Sequence, residues 1–489
     1  MTYVRKTLRG ITWSAFERFS VQGLQLVIFV LMARVLSPVD YGLVGMLSVF
    51  IVVSQLLAEN GLPQAIIRKL DRNSTDYSTA FYANVATALV IYVVLFTTAP
   101  LIARFYGEPR LVDLMRVLAV SVIIQSTLVV HRAILTAELD FRTQAKSTLA
   151  GAFASGVVAL WMTYSGYGVW ALVALQIVNQ IVTAIVLWCV SHWRPTLEFS
   201  GAAFRRLFDL GSKLLVSNVL ESVYNCFCSL IIGKVFSAYA LGCYSNARLI
   251  VSFSSENLSN IVTRAIFPSF CRLQNSPEML CMAVKDYMRI SFLVIAPLML
   301  GLAAVAEPIV HVMIGWQWLY ASYLLRILCV GLMFYPLINI NLMVLKILGF
   351  GKRYLLLQIL SIVVGLGCLV AMIPFGLQAV CCGLASASAI NFVLTAAFGG
   401  SVIGFGLFHQ IRALLPIFLN ALGMAVAAFA MQYFMPGNLM YMLLIILVCG
   451  FLYVGMTFLF MPALCDQIMK YVGRRKRRRE PALINTTEA

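Results

Sequence analysis

Charge is what this sequence has least of. Only 11% of its 489 residues are Asp, Glu, Lys or Arg, whereas a soluble domain carries about 25% to keep its surface in water. Hydrophobic residues make up 61%, more than one aqueous core could hide, so a water-soluble globular protein is excluded. The alternation of a transmembrane β-barrel strand is missing too, since Leu89 to Thr98 and Leu443 to Val448 are unbroken apolar runs. Histidine is scarce, with four scattered copies. Most of the 12 cysteines lie inside apolar stretches, among them Cys226, Cys228, Cys329 and the adjacent pair Cys381-Cys382, where a thiol behaves as a small hydrophobe. No Cys/His spacing has the form of a zinc site, so neither a metal nor a cofactor is expected. A cleavable leader is not indicated either. Met1 to Arg9 is basic and leads into apolar chain, but a small-residue cleavage site is lacking and the stretch runs on through Val35, which reads as a retained first span.

What is present is a series of apolar stretches near 20 residues long, about the length of helix that crosses a 30 Å hydrocarbon core. They fall at about 11–36, 41–60, 79–103, 113–136, 146–165, 168–190, 207–233, 240–262, 286–306, 320–346, 354–373, 377–398, 413–432 and 439–461, which gives about fourteen helices in an all-α polytopic membrane protein. No connector is long enough to fold as an aqueous catalytic domain, so a transporter is expected rather than an enzyme. The formal net charge of +17 is not a nucleic-acid footprint, because the cations sit in short connectors between spans. One set of connectors holds Arg5, Lys6, Arg9, Arg68, Lys69, Arg72, Arg142, Lys146, Arg194, Arg205, Arg206, Arg272, Lys285, Lys352, Arg353 and Arg412. The run Arg474 to Arg479 lies on the same side, where it can touch anionic lipid headgroups. The opposite connectors are poor in cations, with Arg104, Arg110 and Lys234 as exceptions. By the positive-inside rule both termini are expected in the cytoplasm.

An internal repeat organises these helices. Arg34-Val35-Leu36-Ser37-Pro38-Val39-Asp40-Tyr41-Gly42 matches Lys234-Val235-Phe236-Ser237-Ala238-Tyr239-Ala240-Leu241-Gly242 at an offset of about 200. Pro100-Leu101-Ile102 matches Pro308-Ile309-Val310, and Leu114-Met115-Arg116-Val117-Leu118 matches Leu324-Leu325-Arg326-Ile327-Leu328, the offset drifting to about 210. The repeat length is six helices, so both copies keep the same orientation, as in transporters built from two parallel halves. The expected organisation is an N-terminal lobe over 1–195, a C-terminal lobe over 196–400, two further helices over 401–465 and a basic cytoplasmic tail over 466–489.

Polar residues inside the spans form stripes. The first helix carries Ser14, Arg18, Gln22 and Gln25 at helical spacing with Glu17 at the edge. The seventh carries Lys213, Ser217, Glu221, Tyr224 and Asn225, bordered by Asn218, and the repeat superposes Arg18 on Asn218 and Gln25 on Asn225. The eighth carries Arg248, Ser252, Ser255, Glu256, Ser259 and Thr263, with Arg264 beside them. Charged groups within a span cost several kcal/mol and normally face a bundle interior or hydrated cavity. The stripes therefore predict a central cleft between the halves, or, on the blander reading, groups that only pair with one another. Asn339 and Asn341 are candidates for interhelical hydrogen bonds, and His131, Arg132 and Lys346 for snorkelling near helix ends. Trp170, Trp188 and Trp193 fit an interfacial belt.

Gly10-Ile11-Thr12-Trp13-Ser14, Phe29 to Gly42, Glu59-Asn60-Gly61-Leu62-Pro63-Gln64-Ala65-Ile66-Ile67 and Leu139-Asp140-Phe141-Arg142 resemble the corresponding segments of Wzx-type oligosaccharide flippases. The resemblance is to the colanic acid and teichuronic acid exporter-like branch of the MATE/MurJ-like superfamily. It implies a fourteen-helix, two-lobe transporter of a bacterial inner membrane. The implied cargo is an undecaprenyl-diphosphate-linked oligosaccharide repeat unit, carried from the cytoplasmic to the periplasmic leaflet by alternating access and serving a polysaccharide polymerase or export machinery. For that cargo, arginine forks suit a diphosphate. The substrate-contacting candidates are Arg18, Gln22, Gln25, Lys213, Asn218, Asn225, Arg248 and Arg264, while Glu17, Glu221 and Glu256 are candidates for coupling to H⁺ or Na⁺. A lipid II flippase and a cation-coupled drug exporter of the same fold are the alternatives, and a membrane polymerase or ligase is disfavoured by the short connectors.

Overall fold

The computed structural model describes residues 20–69, 71–138, 140–191, 193–434, 439–460 and 462, and all regular structure among them is helical. Two compact units emerge from the contacts. One comprises Met1–Asn246 with Met313–Trp318, the other Ala247–Val312 with Leu319–Ala489. Eleven helices among the described residues are long and apolar enough to cross a membrane, against the fourteen expected. Of the other three, the first, α1, is described from Ser20 to Ala33, its expected start lying outside the described residues. The remaining two form as α8 (Gly201–Val235) and α9 (Ala238–Arg272), each of 35 residues, with Cys226–Val235 of α8 described as an apolar stretch. The repeat of six and the basic tail over 466–489 are properties of the sequence, and the tail also lies outside the described residues.

In the first unit α1 leads into α2 (Pro38–Glu59), α3 (Leu62–Arg68), α4 (Ser74–Tyr106), α5 (Leu111–Ala137), α6 (Phe141–Tyr164) and α7 (Val169–Val190). The sequence explains these boundaries locally. Ser37 caps α2, its hydroxyl accepting from the Asp40 amide while Asp40 accepts from the Ser37 backbone at 3.0 Å, with Pro38 preset for the first turn. Asn60 and Gly61 both adopt left-handed backbone, at φ 52° and 67°, and so end α2 and start α3. Helix α4 is longer than the expected 79–103, because Asn73 and Asp76 form a capping box at its start and Gly107 closes its end in the left-handed region. Asp140 caps α6 by accepting from the Thr143 amide at 3.1 Å.

The repeat reappears as geometry. A Cβ on Gly42 would stand 1.7 Å from the carbonyl oxygen of Ala238, and one on Gly242 would stand 1.8 Å from that of Pro38. Gly42 and Gly242 are repeat mates, as are Pro38 and Ala238, so the N-terminal turns of α2 and α9 cross reciprocally with backbone against backbone. Two cations repeat this relation. Arg34 Nε donates to the Met313 carbonyl at 2.9 Å, and its mate Lys234 donates through Nζ to the Phe105 carbonyl. The offset that pairs Pro100 with Pro308 also pairs Phe105 with Met313, and it pairs Gly107 with Gly315, both at positive φ. Beyond that pairing the second copy holds Gln317 and Trp318. Their side chains donate to the Ala33 carbonyl, both at 2.7 Å, and close the end of α1.

The second unit contains the rest of α9, α10 (Pro277–Ala304), α11 (Ala306–Ile314), α12 (Leu319–Leu332), α13 (Tyr335–Ile347), α14 (Gly351–Met372), α15 (Leu377–Phe398), α16 (Leu407–Phe434) and α17 (Leu439–Phe460). The expected single helix over 320–346 breaks into α12 and α13 because Pro336 has no amide hydrogen for the Leu332 carbonyl. Ser255 supplies that hydrogen bond from α9 at 2.7 Å. The same device recurs at Pro297 within α10, where the carbonyl four residues back, Leu293, accepts from the Tyr453 hydroxyl at 2.9 Å. Asn341 and Gln410, both fully buried, exchange two amide hydrogen bonds of 3.1 and 2.9 Å, and Asn339 donates to Ser259 at 3.2 Å. Both asparagines thus make the interhelical bonds expected of them. Asn420 to Thr457, at 2.8 Å and buried, joins α17 to α16, and such pairs hold helices together where lipid offers no hydrophobic drive between them.

The glycine crossing is testable by thermal unfolding of the detergent-solubilised full chain. Gly42→Ala and Gly242→Ala should each lower the apparent Tm, because the new methyl overlaps backbone that no rotamer change can relieve. The double variant should lose less than the sum of the two, since both act on one crossing. Gly367→Ala on α14, where nothing lies within 4 Å of the added Cβ, should leave the Tm unchanged or raised. Equal behaviour of all three single variants would refute the crossing.

Candidate functional site

The candidate residues divide between the two units. In the first, Gln22 and Gln25 stand three positions apart on α1, Gln22 half-buried and Gln25 exposed. Glu17 and Arg18 lie outside the described residues. Lys213, Asn218, Glu221 and Asn225 lie on α8, where positions 218, 221 and 225 fall on one side of the helix at spacings of three and four, and their side chains are outside the described set. In the second unit Arg248 and Glu256 are both half-buried on α9, and the Arg248 charge acts directly on the Glu256 carboxylate. Arg264 lies on the same helix, its side chain also outside the described set. Of the candidates with described side chains, Arg248 and Glu256 lie about two turns apart on α9, near enough for the charge of one to be felt by the other.

The stripe on α9 splits into two parts. Ser255 and Ser259 are buried and spent on packing, the first on the Leu332 carbonyl freed by Pro336, the second on Asn339. Ser252 and Thr263 remain half-buried alongside Arg248 and Glu256. The pairing reading therefore holds for the hydroxyls at one margin of the stripe. The charged positions form its other part.

Other polar groups differ from expectation. His131 does not snorkel. It is fully buried, with its ring centroid 4.9 Å from that of Trp188 and 5.3 Å from that of Trp193, while its Nδ1 lies 3.1 Å from the Thr127 carbonyl oxygen. The two tryptophans expected in an interfacial belt turn inward onto this histidine and onto Phe81, and Arg194 covers the outer face of Trp188 at 5.8 Å. Glu59, at the end of α2, hydrogen-bonds Gln125 and feels the charge of Arg132 on α5. These groups stabilise the inner packing of the first unit, and their spacing in sequence gives no sign of the partnership. Lys346 lies over the Tyr354 ring at 4.6 Å.

A cavity of about 440 Å³ in the second unit had no counterpart in the sequence analysis, which treated the last two helices as an addition to the repeat. It is lined by Pro297, Gly301 and Val305 from α10 and its end, Met424 from α16, and Cys449 and Tyr453 from α17, with further apolar side chains around them. Its walls are almost entirely hydrocarbon, and Tyr453 spends its hydroxyl on Leu293. Gly301 and Gly450 open the space by leaving out side chains. Among the described residues no group of three or more His, Cys, Asp or Glu is placed to hold a metal ion.

A family model described as a polysaccharide biosynthesis protein matches residues 31–323. The succinoglycan biosynthesis transport protein ExoT of Rhizobium meliloti (strain 1021) is 25% identical over 323 residues, covering 66% of this chain and 65% of that protein, slightly under two thirds of its length. The teichuronic acid biosynthesis protein TuaB of Bacillus subtilis (strain 168) is 26% identical over 434 residues, 88% of this chain and 89% of that protein. The lipopolysaccharide biosynthesis protein WzxC of Escherichia coli (strain K12) is 25% identical over 340 residues, 68% of each. Among solved structures, the lipid II flippase MurJ in an inward closed conformation superposes with a TM-score of 0.75 at 15% identity, covering 93% of this chain and 100% of that one. An inward-facing multidrug resistance MATE family transporter of the MOP superfamily gives 0.62 at 17% identity, covering 78% and 94%. At such identities the structural likeness speaks for the fold. The sequence-based resemblance holds at both levels: this multi-span membrane protein belongs to the polysaccharide biosynthesis protein family and has the helical fold shared by MurJ and the MATE transporters.

Proposed function

We propose that this protein is a flippase of a bacterial inner membrane, with both termini in the cytoplasm. It moves undecaprenyl-diphosphate-linked oligosaccharide repeat units from the cytoplasmic to the periplasmic leaflet for cell-surface polysaccharide assembly. The observation that carries this reading is the match of the polysaccharide biosynthesis family model over residues 31–323, and the polar residues of α8 and α9 agree with it. At 35 residues each, these two helices are roughly 50 Å long at 1.5 Å per residue. Helix α9 carries Arg248, Glu256 and Arg264 within that length. A membrane bundle tolerates such helices where they meet water or a polar cargo, and a sugar diphosphate is a cargo of that kind.

The chemistry of the parts supports the same cargo. Arg18, Lys213, Arg248 and Arg264 offer charge-assisted hydrogen bonds to phosphate oxygens. Gln22, Gln25, Asn218 and Asn225 suit sugar hydroxyls, since an amide both donates and accepts. The apolar cavity beside α10, α16 and α17 suits part of a polyprenyl chain, which can stay in hydrocarbon while the head group crosses. Glu17, Glu221 and Glu256 are the groups proposed to couple transport to H⁺ or Na⁺, with Arg248 modulating Glu256. The protein acts as a transporter rather than an enzyme, passing its cargo to a polymerase or export machinery. The names of the relatives ExoT, TuaB and WzxC place them in the biosynthesis of three different polysaccharides, and the same role is proposed here. A lipid II cargo, in keeping with the MurJ-like fold, is the second reading.

Deleting the protein should leave lipid-linked repeat units on the cytoplasmic leaflet, measured by extracting lipid-linked intermediates and probing their sidedness. Absence of that build-up would remove the repeat-unit reading, and accumulation of lipid II in its place would establish the second one. Arg18→Ala and Arg248→Ala should each lower export roughly ten- to a hundredfold at normal protein level, the range expected on losing a hydrogen bond to a charged group. Unchanged export in both would leave the pairing reading of the stripes.

The cavity gives a separate expectation. Gly450→Leu places hydrocarbon in the space without meeting any atom within 4 Å of its Cβ, so folding should be preserved while transport of a long-chain polyprenyl cargo slows several-fold. A cargo with a shortened prenyl chain should be affected less. Equal slowing of both cargoes would separate the cavity from the lipid tail.

A further inference from the structure

The outer ends of α4 and α5 carry a charge that the transport reading does not use. Arg116 on α5 and Arg326 on α12 are repeat mates within Leu-Met-Arg-Val-Leu and Leu-Leu-Arg-Ile-Leu, yet their surroundings differ. Arg326 Nη2 donates to the Glu307 carboxylate at 3.1 Å and lies 5.6 Å from the Tyr323 ring centre. Glu307 directly precedes Pro308, so the repeat places Ala99, just before Pro100, at the matching position. Ala99 is fully buried and has no charge to offer. Arg116 is half-buried, and its guanidinium carbon sits 4.5 Å from the centre of the Phe96 ring. Its Nε is buried without a hydrogen-bond partner, as is that of Arg326, so the difference between the mates is the carboxylate. Among the described residues no carboxylate forms an ion pair with it, Asp113 and Glu108 included.

An aromatic face attracts a guanidinium by roughly 0.5–2 kcal/mol but does not neutralise it or satisfy its five donors. The neighbourhood indicates where an anion can come from. Phe96 is 39% exposed, Val117 37% and Leu101 61%, with Leu89, Val90, Val93 and Val94 continuing the exposed apolar face along α4. Such a face in a membrane helix meets lipid. Above it, at the hairpin between α4 and α5, Arg104 and Arg110 are both exposed. These are two of the three cations that break the charge asymmetry of the connectors. The third, Lys234, is occupied on the Phe105 carbonyl.

We propose that the α4–α5 hairpin binds one anionic glycerophospholipid, its phosphate held by Arg116 with Arg104 and Arg110 around it and its acyl chain laid along Phe96, Val117 and Leu101. Arg116 takes from the lipid the carboxylate-like partner that Arg326 has in Glu307. The fork of a guanidinium suits phosphate oxygens, and anionic headgroups are the abundant anions at a membrane surface. By the orientation proposed above, the lipid belongs to the periplasmic leaflet. The binding itself does not depend on that orientation or on the cargo.

The test uses the purified full chain in nanodiscs of mixed phosphatidylglycerol and phosphatidylcholine, with retained lipids counted by native mass spectrometry after mild release. The wild type should keep one phosphatidylglycerol in preference to phosphatidylcholine, and Arg116→Leu should weaken that preference about tenfold or more. The double variant Glu307→Leu/Arg326→Leu removes both partners of the mate's ion pair and should leave the preference intact. Arg104→Gln/Arg110→Gln, at exposed positions, should weaken it in part and serves where Arg116→Leu fails to fold. A preference unchanged in Arg116→Leu, or in the exposed double variant where that is the one tested, would overturn the proposal, as would loss of the lipid to inorganic phosphate at equal concentration. If a polyprenyl diphosphate displaces phosphatidylglycerol at equal concentration, the hairpin belongs to the transport route instead and the proposal also fails. Continued export by Arg116→Leu with its lipid lost would show that the two readings stand apart.

Discussion

Backbone meets backbone where α2 and α9 begin, and that contact constrains the rest of the first unit. Gly42 receives the Ala238 carbonyl and Gly242 receives the Pro38 carbonyl, each at a distance that no side chain permits. The approach is possible because both residues lack Cβ, and it is reciprocal because both belong to the same position of a repeated sequence. A second such contact joins Gly61, at the break between α2 and α3, to Gly211 on α8, where a Cβ would stand 2.2 Å from the facing carbonyl oxygen. Glycine thus fixes α2 near both of its ends. In hydrocarbon this matters more than in water, because helices gain little from burying apolar surface and depend on close packing and polar links.

The cations at the outer ends follow from the same arrangement. Arg34 and Lys234 lie at the end of the first helix of each repeat, and each donates to a carbonyl in the last turn of a helix of the other repeat, Met313 on α11 and Phe105 on α4. Helix C-termini carry unsatisfied carbonyls and partial negative charge, so a cation there is favourable on whichever side of the membrane it falls. This accounts for Lys234 as an exception to the connector asymmetry without invoking topology. Proline creates a related need deeper in the bundle. Pro336 and Pro297 each release a carbonyl, and Ser255 and Tyr453 answer from other helices. The Ser255 hydroxyl, which looks like part of a functional stripe in sequence, is in this case a repair of the backbone.

Helix positions, the end of α2 near residue 60 and the repeat were legible in the sequence because each depends on neighbours a few residues apart or on a single repeating offset. Apolar run length sets the spans, whereas the start of α2 at Pro38, fixed by the Ser37 and Asp40 cap, lies before the expected 41. Partnerships across the fold were not legible. His131 and Arg132 are adjacent and near a helix end, which reads as snorkelling, yet one is enclosed by Trp188 and Trp193 and the other lies by Glu59. Those partners are more than fifty positions away in sequence, and packing alone selects them. The cavity beside α17 escaped notice for a similar reason, since it is made of absent side chains at Gly301 and Gly450 and ordinary apolar ones around them. The segments that resemble known flippases turn out to hold structural devices where they are described: a cap, a glycine crossing, a left-handed break and the Asp140 cap. They identify the scaffold better than the cargo.

The stripe on α9 mixes residues with structural duties and residues proposed to meet the cargo. On α9, Ser255 and Ser259 are explained by Leu332 and Asn339, and removing them from the stripe leaves Arg248, Ser252, Glu256 and Thr263. A charged side chain near mid-span costs about 2.5–3.5 kcal/mol even on the lenient scales. Pairing Arg248 with Glu256 along one helix returns only part of that, because both groups must be desolvated and two long side chains held still. A purely structural helix would be more stable with leucine at both positions. Half-burial of both groups lowers the cost only where water or a polar ligand reaches them. Water or a polar ligand of that kind is what the proposed translocation of a sugar diphosphate would bring to α9.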